Sequence, residues 1–118
     1  MKSDNLLFLS EKVRNFCEER DWDQFHPAKD LAIGLSTESN ELLDLFRFKS
    51  DAAIAEKMQT PEFKEKVSDE LADVFFFVLR FAQMNQIDLA QALESKIVKN
   101  GFKYSIETAK GSNKKYNE

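Results

Sequence analysis

The chain has 118 residues, 42% of them hydrophobic and 32% charged, which fits one globular domain with a modest core. Its 3 glycines and 2 prolines give too little turn material for a many-stranded β fold, so an all-α fold is expected. A net charge of -4 offers no footprint for nucleic acid or an anionic membrane, and the lone Cys17 excludes a disulfide framework or a cysteine-based zinc site.

The first helix is expected from about Asn5 to Arg20, where Leu6, Leu9, Val13 and Phe16 recur in a 3-4-3 rhythm behind a capping Asp4. Leu7 and Phe8 widen its apolar stripe, so cover on more than one side is expected. Asp21-Trp22-Asp23-Gln24-Phe25-His26-Pro27 follows as an aromatic and polar linker whose proline suits a first helical turn. It carries the chain's one Trp and one His. Trp22 reads either as a hydrophobic plug over the end of a bundle or as a stacking surface for a flat ligand.

Helix two is expected from Pro27 or Lys29 to Lys49, with the apolar stripe Leu31, Leu35, Leu42, Leu45 and Phe48. Glu38 occupies a core position within that stripe, and Glu41 lies one turn along on its flank. Burying an unpaired charge costs several kcal/mol (roughly), so something must compensate these two. Gly34, one turn before Glu38, permits a close approach by backbone or ligand. Asp51 to Met58 reads as a short helix, and Thr60-Pro61-Glu62 is a clear helix start.

Helix three, Pro61 to about Asn85, has the strongest periodicity. Phe63, Val67, Glu70, Val74, Phe77, Phe81 and Met84 step along one face, and Glu70 again takes a core position with Asp73 beside it. Phe75 and Phe76 make it apolar on other sides, so its burial is expected to be completed by a second subunit. Asp88-Leu89-Ala90-Gln91 opens helix four, expected to stop at Gly101. From Ser105 onward the chain reads as a polar, frayed tail, leaving residues 1–104 as a single helical domain.

Residues three apart share a helix face, so Glu38 with Glu41 and Glu70 with Asp73 can each aim two carboxylates at one point. Four converging carboxylates repel unless a cation sits among them, and oxygen-only ligation suits Mg²⁺, with Mn²⁺ as an alternative. Di-iron bundles need Glu-x-x-His pairs, which this chain lacks.

Glu38-x-x-Glu41 followed by Glu70-x-x-Asp73 resembles the metal-binding signature of the all-α nucleoside triphosphate pyrophosphohydrolases, the MazG-like superfamily. The likeness extends to Arg20-Asp21-Trp22-Asp23-Gln24-Phe25-His26, to the run from Glu38 to Lys49, and to Asp69-Glu70-Leu71-Ala72-Asp73-Val74. Lys96, Asn100, Lys103 and Tyr104 resemble a C-terminal element of the small dCTP pyrophosphatase branch.

The resemblance implies a helical bundle assembled as a dimer or dimer of dimers that cleaves nucleoside triphosphates between the α and β phosphates. Glu38, Glu41, Glu70 and Asp73 would be metal ligands. Glu41, or else Glu38, would orient or deprotonate the attacking water. Lys49, Lys96 and Lys103 would grip phosphates, with Asn100 as a hydrogen-bonding partner, although lysines near a helix C-terminus also offset the macrodipole without any ligand. Trp22 would then stack on the base, and His26 serves either the helix start or a nucleotide contact. Relatives often carry Trp at Phe48 and Tyr at Phe77, and without their N–H and O–H groups the resemblance does not carry a strict dCTP preference over to this chain.

A catalytically silent oligomerisation module is the alternative from another class; a dUTP or purine preference is the alternative within the same class. With no signal peptide or membrane span read in the sequence, a cytoplasmic location is expected.

Overall fold

A computed structural model describes the backbone of residues 2–115 and the side chains of residues 5–115, and these are all-α, with no strand among them. The helices are α1 (Lys2–Glu19), α2 (Ala28–Asp44), α3 (Asp51–Lys57), α4 (Pro61–Met84), α5 (Leu89–Lys103) and α6 (Ile106–Ala109), with a single 3₁₀ turn at Asp23–Phe25. The expected cap at Asp4 lies outside the described side chains, and α1 already includes that residue.

Residues 1–86 and 87–118 form two compact units. In the first, α4 packs mainly on α2 and also on α1. The α2–α4 pair is antiparallel: Gly34 meets Phe77, Glu38 approaches Glu70, and the Phe46 and Phe63 rings lie 5.7 Å apart. Among the described residues, Cys17, Leu31, Leu79 and Ala82 are the buried apolar ones, so the core gathers where α1 ends, α2 begins and α4 ends. The acid pairs lie farther along α2 and α4, away from that core.

The helix starts follow capping chemistry. Thr60 Oγ1 accepts from the Phe63 N–H at 3.3 Å, Ser50 Oγ from Ala53 at 3.1 Å, and Asp88 Oδ1 from Gln91 at 3.0 Å.

Helix two ends earlier than the apolar stripe suggests. The Leu45 and Phe46 N–H groups bond to the Leu42 and Leu43 carbonyls, tightening the last turn. Phe48 then turns left-handed at φ 65°, and α3 starts from the Ser50 cap. Phe48 is therefore not part of a buried stripe: it is 93% exposed.

In the second unit, α5 runs through Gly101 rather than stopping there. A Cβ at Gly101 would meet nothing within 4 Å, and Phe102 and Lys103 continue the helix until the Tyr104 N–H bonds to the Asn100 carbonyl at 2.8 Å. Within the stretch read as a tail, Ser105 caps the one-turn α6.

Among the described residues, no helix is long and apolar enough to cross a membrane.

Candidate functional site

The antiparallel register of α2 and α4 brings three of the four expected acids together. Glu38, Glu41 and Glu70 each offer one carboxylate oxygen to a group whose members all lie within 4.8 Å of one another. Glu38 and Glu70 are half-buried and Glu41 is exposed. Glu38 Oε2 and Glu70 Oε2 are shut off from solvent with no hydrogen-bond partner among the described residues.

Such orphaned oxygens are costly unless something positive meets them. Burial, then the adjoining Glu41 carboxyl and its charge, then the charges of Asp73 and Glu70 push the Glu38 carboxyl up to about 7 from its ordinary 4.5. Burial and the Glu41 charge raise Glu70 as well. Asp73 stands outside the three-residue group, one turn from Glu70, and acts on both glutamates through its charge. An all-oxygen donor set with unsatisfied buried lone pairs fits a hard divalent cation.

The structure treats the other expected residues unevenly. Trp22 is 37% exposed, with its ring edge-on to Phe16 (centroids 5.6 Å apart) and to His26 (6.2 Å). His26 Nδ1 accepts a hydrogen bond from Arg80 Nε at 2.8 Å. Burial and the Arg80 charge lower the His26 pKa, against the opposing pull of Asp23. Lys49 Nζ donates to the Leu45 carbonyl at 3.1 Å, fastening the end of α2. The Arg47 guanidinium lies 4.7 Å from the centre of the Phe48 ring.

The close approach at Gly34 is made by a side chain rather than by backbone or ligand. A Cβ there would lie 2.8 Å from Phe77 Cζ and 2.9 Å from Cδ1. In the second unit, Lys96, Asn100 and Lys103 share one face of α5 at spacings of four and three, and Tyr104 closes the helix.

Sequence reasoning missed Arg80. It is fully buried, donates to His26, Gln83 and Asp23, and is the only charged residue between Asp73 and Asp88. That isolation within an apolar run was the available signal.

Two antiparallel helices that bring carboxylates together define an all-α protein with an acidic, oxygen-lined cluster between α2 and α4. The sequence pattern of the MazG-like family matches residues 33–118, and the chain belongs to that family. It is 35% identical over 103 residues to dCTP pyrophosphatase 1 of Rattus norvegicus, covering 87% of this chain and 61% of that protein. Identity to dCTP pyrophosphatase 1 of Homo sapiens is 34% over 103 residues, with the same coverage. The chain thus spans about three fifths of the length of these curated relatives. The crystal structure of a pyrophosphatase from Archaeoglobus fulgidus is similar, with a TM-score of 0.79 and 30% identity, covering 86% of this chain and 93% of that one.

Proposed function

We propose that the chain is a Mg²⁺-dependent nucleoside triphosphate pyrophosphohydrolase that converts a (d)NTP to the (d)NMP and pyrophosphate. Its substrates would be dCTP-like or modified deoxynucleotides, removed from the cytoplasmic pool. The observation that carries this reading is the pair of orphaned oxygens, Glu38 Oε2 and Glu70 Oε2, beside Glu41. Family membership and the likeness to dCTP pyrophosphatases support it.

Glu38, Glu41, Glu70 and Asp73 would hold Mg²⁺, or Mn²⁺ in its place. The ion supplies charge neutralisation at the phosphate oxygens. Glu41, with Glu38 as the other candidate, orients a water and takes its proton as the water oxygen joins phosphorus and the α–β bridging P–O bond breaks. Trp22 and Phe48 offer exposed aromatic faces for the base, with His26 and Phe77 as further contacts. Lys49, Lys96, Asn100, Lys103 and Tyr104 are proposed for the phosphates and sugar.

We also propose that residues 1–104 are the working domain and that it acts as a homo-oligomer, a dimer or a dimer of dimers. Leu71 and Phe75 of α4, 54% and 42% exposed, line an apolar groove with Val74 and Val78 that a second copy would cover.

Release of pyrophosphate from a panel of unmodified and modified dNTPs, in Mg²⁺ and in EDTA, tests the activity. Mg²⁺-dependent formation of monophosphate and pyrophosphate supports it. Silence across the panel from folded protein favours the non-catalytic oligomerisation module. Light scattering across a range of protein concentrations tests the assembly.

A further inference from the structure

Arg80 sits away from the acids, and its surroundings are more elaborate than packing requires. Each guanidinium nitrogen has its own acceptor: Nε donates to His26 Nδ1 at 2.8 Å, Nη1 to Gln83 Oε1 at 2.7 Å, and Nη2 to the Asp23 carboxylate. Gln83 in turn donates to both the carbonyl and the hydroxyl of Ser10 on α1, each at 2.8 Å. One buried cation therefore joins α4, α1 and the turn between α1 and α2.

A buried guanidinium is weak grounds for stability, since a well-packed apolar residue of similar volume is often as good or better. What it provides here is direction. Arginine stays protonated, so the nitrogen of His26 that faces it must be the acceptor, and the imidazole carries its proton on Nε2. The ring cannot turn over without breaking that bond. His26 in turn stands edge-on to Trp22, whose other edge contact is Phe16. The backbone leaves the same stretch little slack: Asp21 is left-handed at φ 55°, and the Trp22 N–H bonds to the Cys17 carbonyl at 3.0 Å. Asp23, at the start of the 3₁₀ turn, is tied to Arg80 directly.

We propose that Arg80 is a positioning residue for nucleotide recognition: by fixing the orientation and tautomer of His26 and anchoring Asp23, it sets the angle at which Trp22 presents its ring. This rests on the reading of Trp22 as the base-stacking surface. It adds a determinant of base affinity that touches neither the base nor the metal site.

Trp22 is the chain's one tryptophan, so its fluorescence reports on this group alone. The variant is Arg80→Lys, which keeps a positive charge for Asp23 but loses the planar fork that reaches His26 and Gln83 together. In the full-length, nucleotide-free variant, acrylamide quenching of Trp22 should rise and its anisotropy fall, with far-ultraviolet circular dichroism unchanged. With substrate and Mg²⁺, KM should rise by roughly tenfold while kcat stays within about twofold, the size expected when a stacking surface worth about 1–3 kcal/mol is misaligned.

A folded Arg80→Lys protein with wild-type quenching and wild-type KM overturns the proposal. So does a fall in kcat that tracks lost thermal stability while Trp22 and KM stay unchanged, because that is the behaviour of a purely structural tie. Titrating the wild type with a dNTP bearing a methylene between its α and β phosphorus atoms separates the premise. If Trp22 emission ignores this nucleotide, base stacking fails; the quenching change in nucleotide-free Arg80→Lys is still read independently and bears on Arg80 alone. Should Arg80→Lys not fold, Asp23→Asn loosens the same anchor at a side chain 49% exposed, and the same quenching and KM shifts are expected in smaller size. Their absence there overturns the proposal equally.

Discussion

Gly34→Ala tests the α2–α4 interface where the Phe77 ring lies against a glycine. A Cβ there would meet Phe77 Cε1 first and lie 2.8 Å from Cζ, whereas ordinary carbon contacts sit at about 3.5–4.0 Å, so the ring must retreat by more than about 1 Å. Overpacking of this kind costs about 1–3 kcal/mol, and the better helix propensity of alanine offsets about 1 kcal/mol of it. A net loss of about 1 kcal/mol is expected, or about 4 °C in Tm for a chain of this size.

Urea denaturation of four proteins measures this: wild type, Gly34→Ala, Phe77→Ala and the double variant. With the ring gone, the collision is gone too, so Gly34→Ala should stabilise the Phe77→Ala background by about 1 kcal/mol. The sign must therefore reverse between backgrounds. Equal effects in both would refute the contact as the reason for glycine at this position. Because Glu38 lies one turn beyond Gly34 and Asp73 one turn before Phe77, prising the helices apart here should also weaken Mg²⁺ binding, which isothermal titration calorimetry would register.

Further outcomes concern the acids and the turn after α2. The folded protein without metal keeps a proton on Glu38 up to about 7, whereas the unfolded chain releases it near 4.5; the unfolded state binds fewer protons in that window, so stability should fall as pH rises through it and level off above. Glu70 acts in the same direction, while His26, with its lowered pKa, acts in the opposite one near its ordinary 6.5. The measurement is therefore the difference between wild type and Glu38→Gln in urea midpoint against pH, and a flat difference would remove the acid cluster as the cause. Glu70→Gln should abolish Mg²⁺-dependent pyrophosphate release while the metal-free fold becomes no less stable, because like-charge repulsion is relieved; full activity would end the metal-site reading. Phe48→Gly should raise stability by about 0.5–1 kcal/mol, since the left-handed backbone is strained for phenylalanine and its ring is 93% exposed. The same change should raise KM if the ring meets the base, and an unchanged KM would count against that contact.

The helical class, the starts of α3, α4 and α5 and the approach of Glu38, Glu41 and Glu70 could be read from the sequence because each has a local cause, while Asp73, expected with them, stands outside the group. Thr60-Pro61 and Asp88 announce helices through capping, and Glu38 and Glu70 stand out by interrupting apolar stripes. The ends were harder. Periodicity continued through Leu45 and Phe48, but the helix stopped because its last turn tightened and Phe48 took a conformation usually left to glycine. Gly101 looked like a terminator, yet nothing required a positive φ there, and the helix passed through. Arg80 escaped notice for a different reason. Its partners Asp23 and His26 lie 57 and 54 residues away, and no local rule connects a lone cation in an apolar helix to a distant turn. Phe77 illustrates the same limit: its spacing marked a helix face, and only the fold revealed glycine as its seat.

The Arg80 cluster also constrains how this chain can change over generations. A substitution at Asp23 or His26 leaves part of a buried guanidinium without an acceptor, and a substitution at Arg80 leaves Gln83 without the donor that faces its oxygen. No member can drift alone without a penalty that falls on the others. Descendants of this sequence should therefore exchange these positions as a set, Arg80 together with Asp23 and His26, whereas a change at Phe48, 93% exposed, leaves no buried group unpaired. The aromatic turn that carries Trp22 would then be inherited as a block, its geometry held by a residue that lies on another helix.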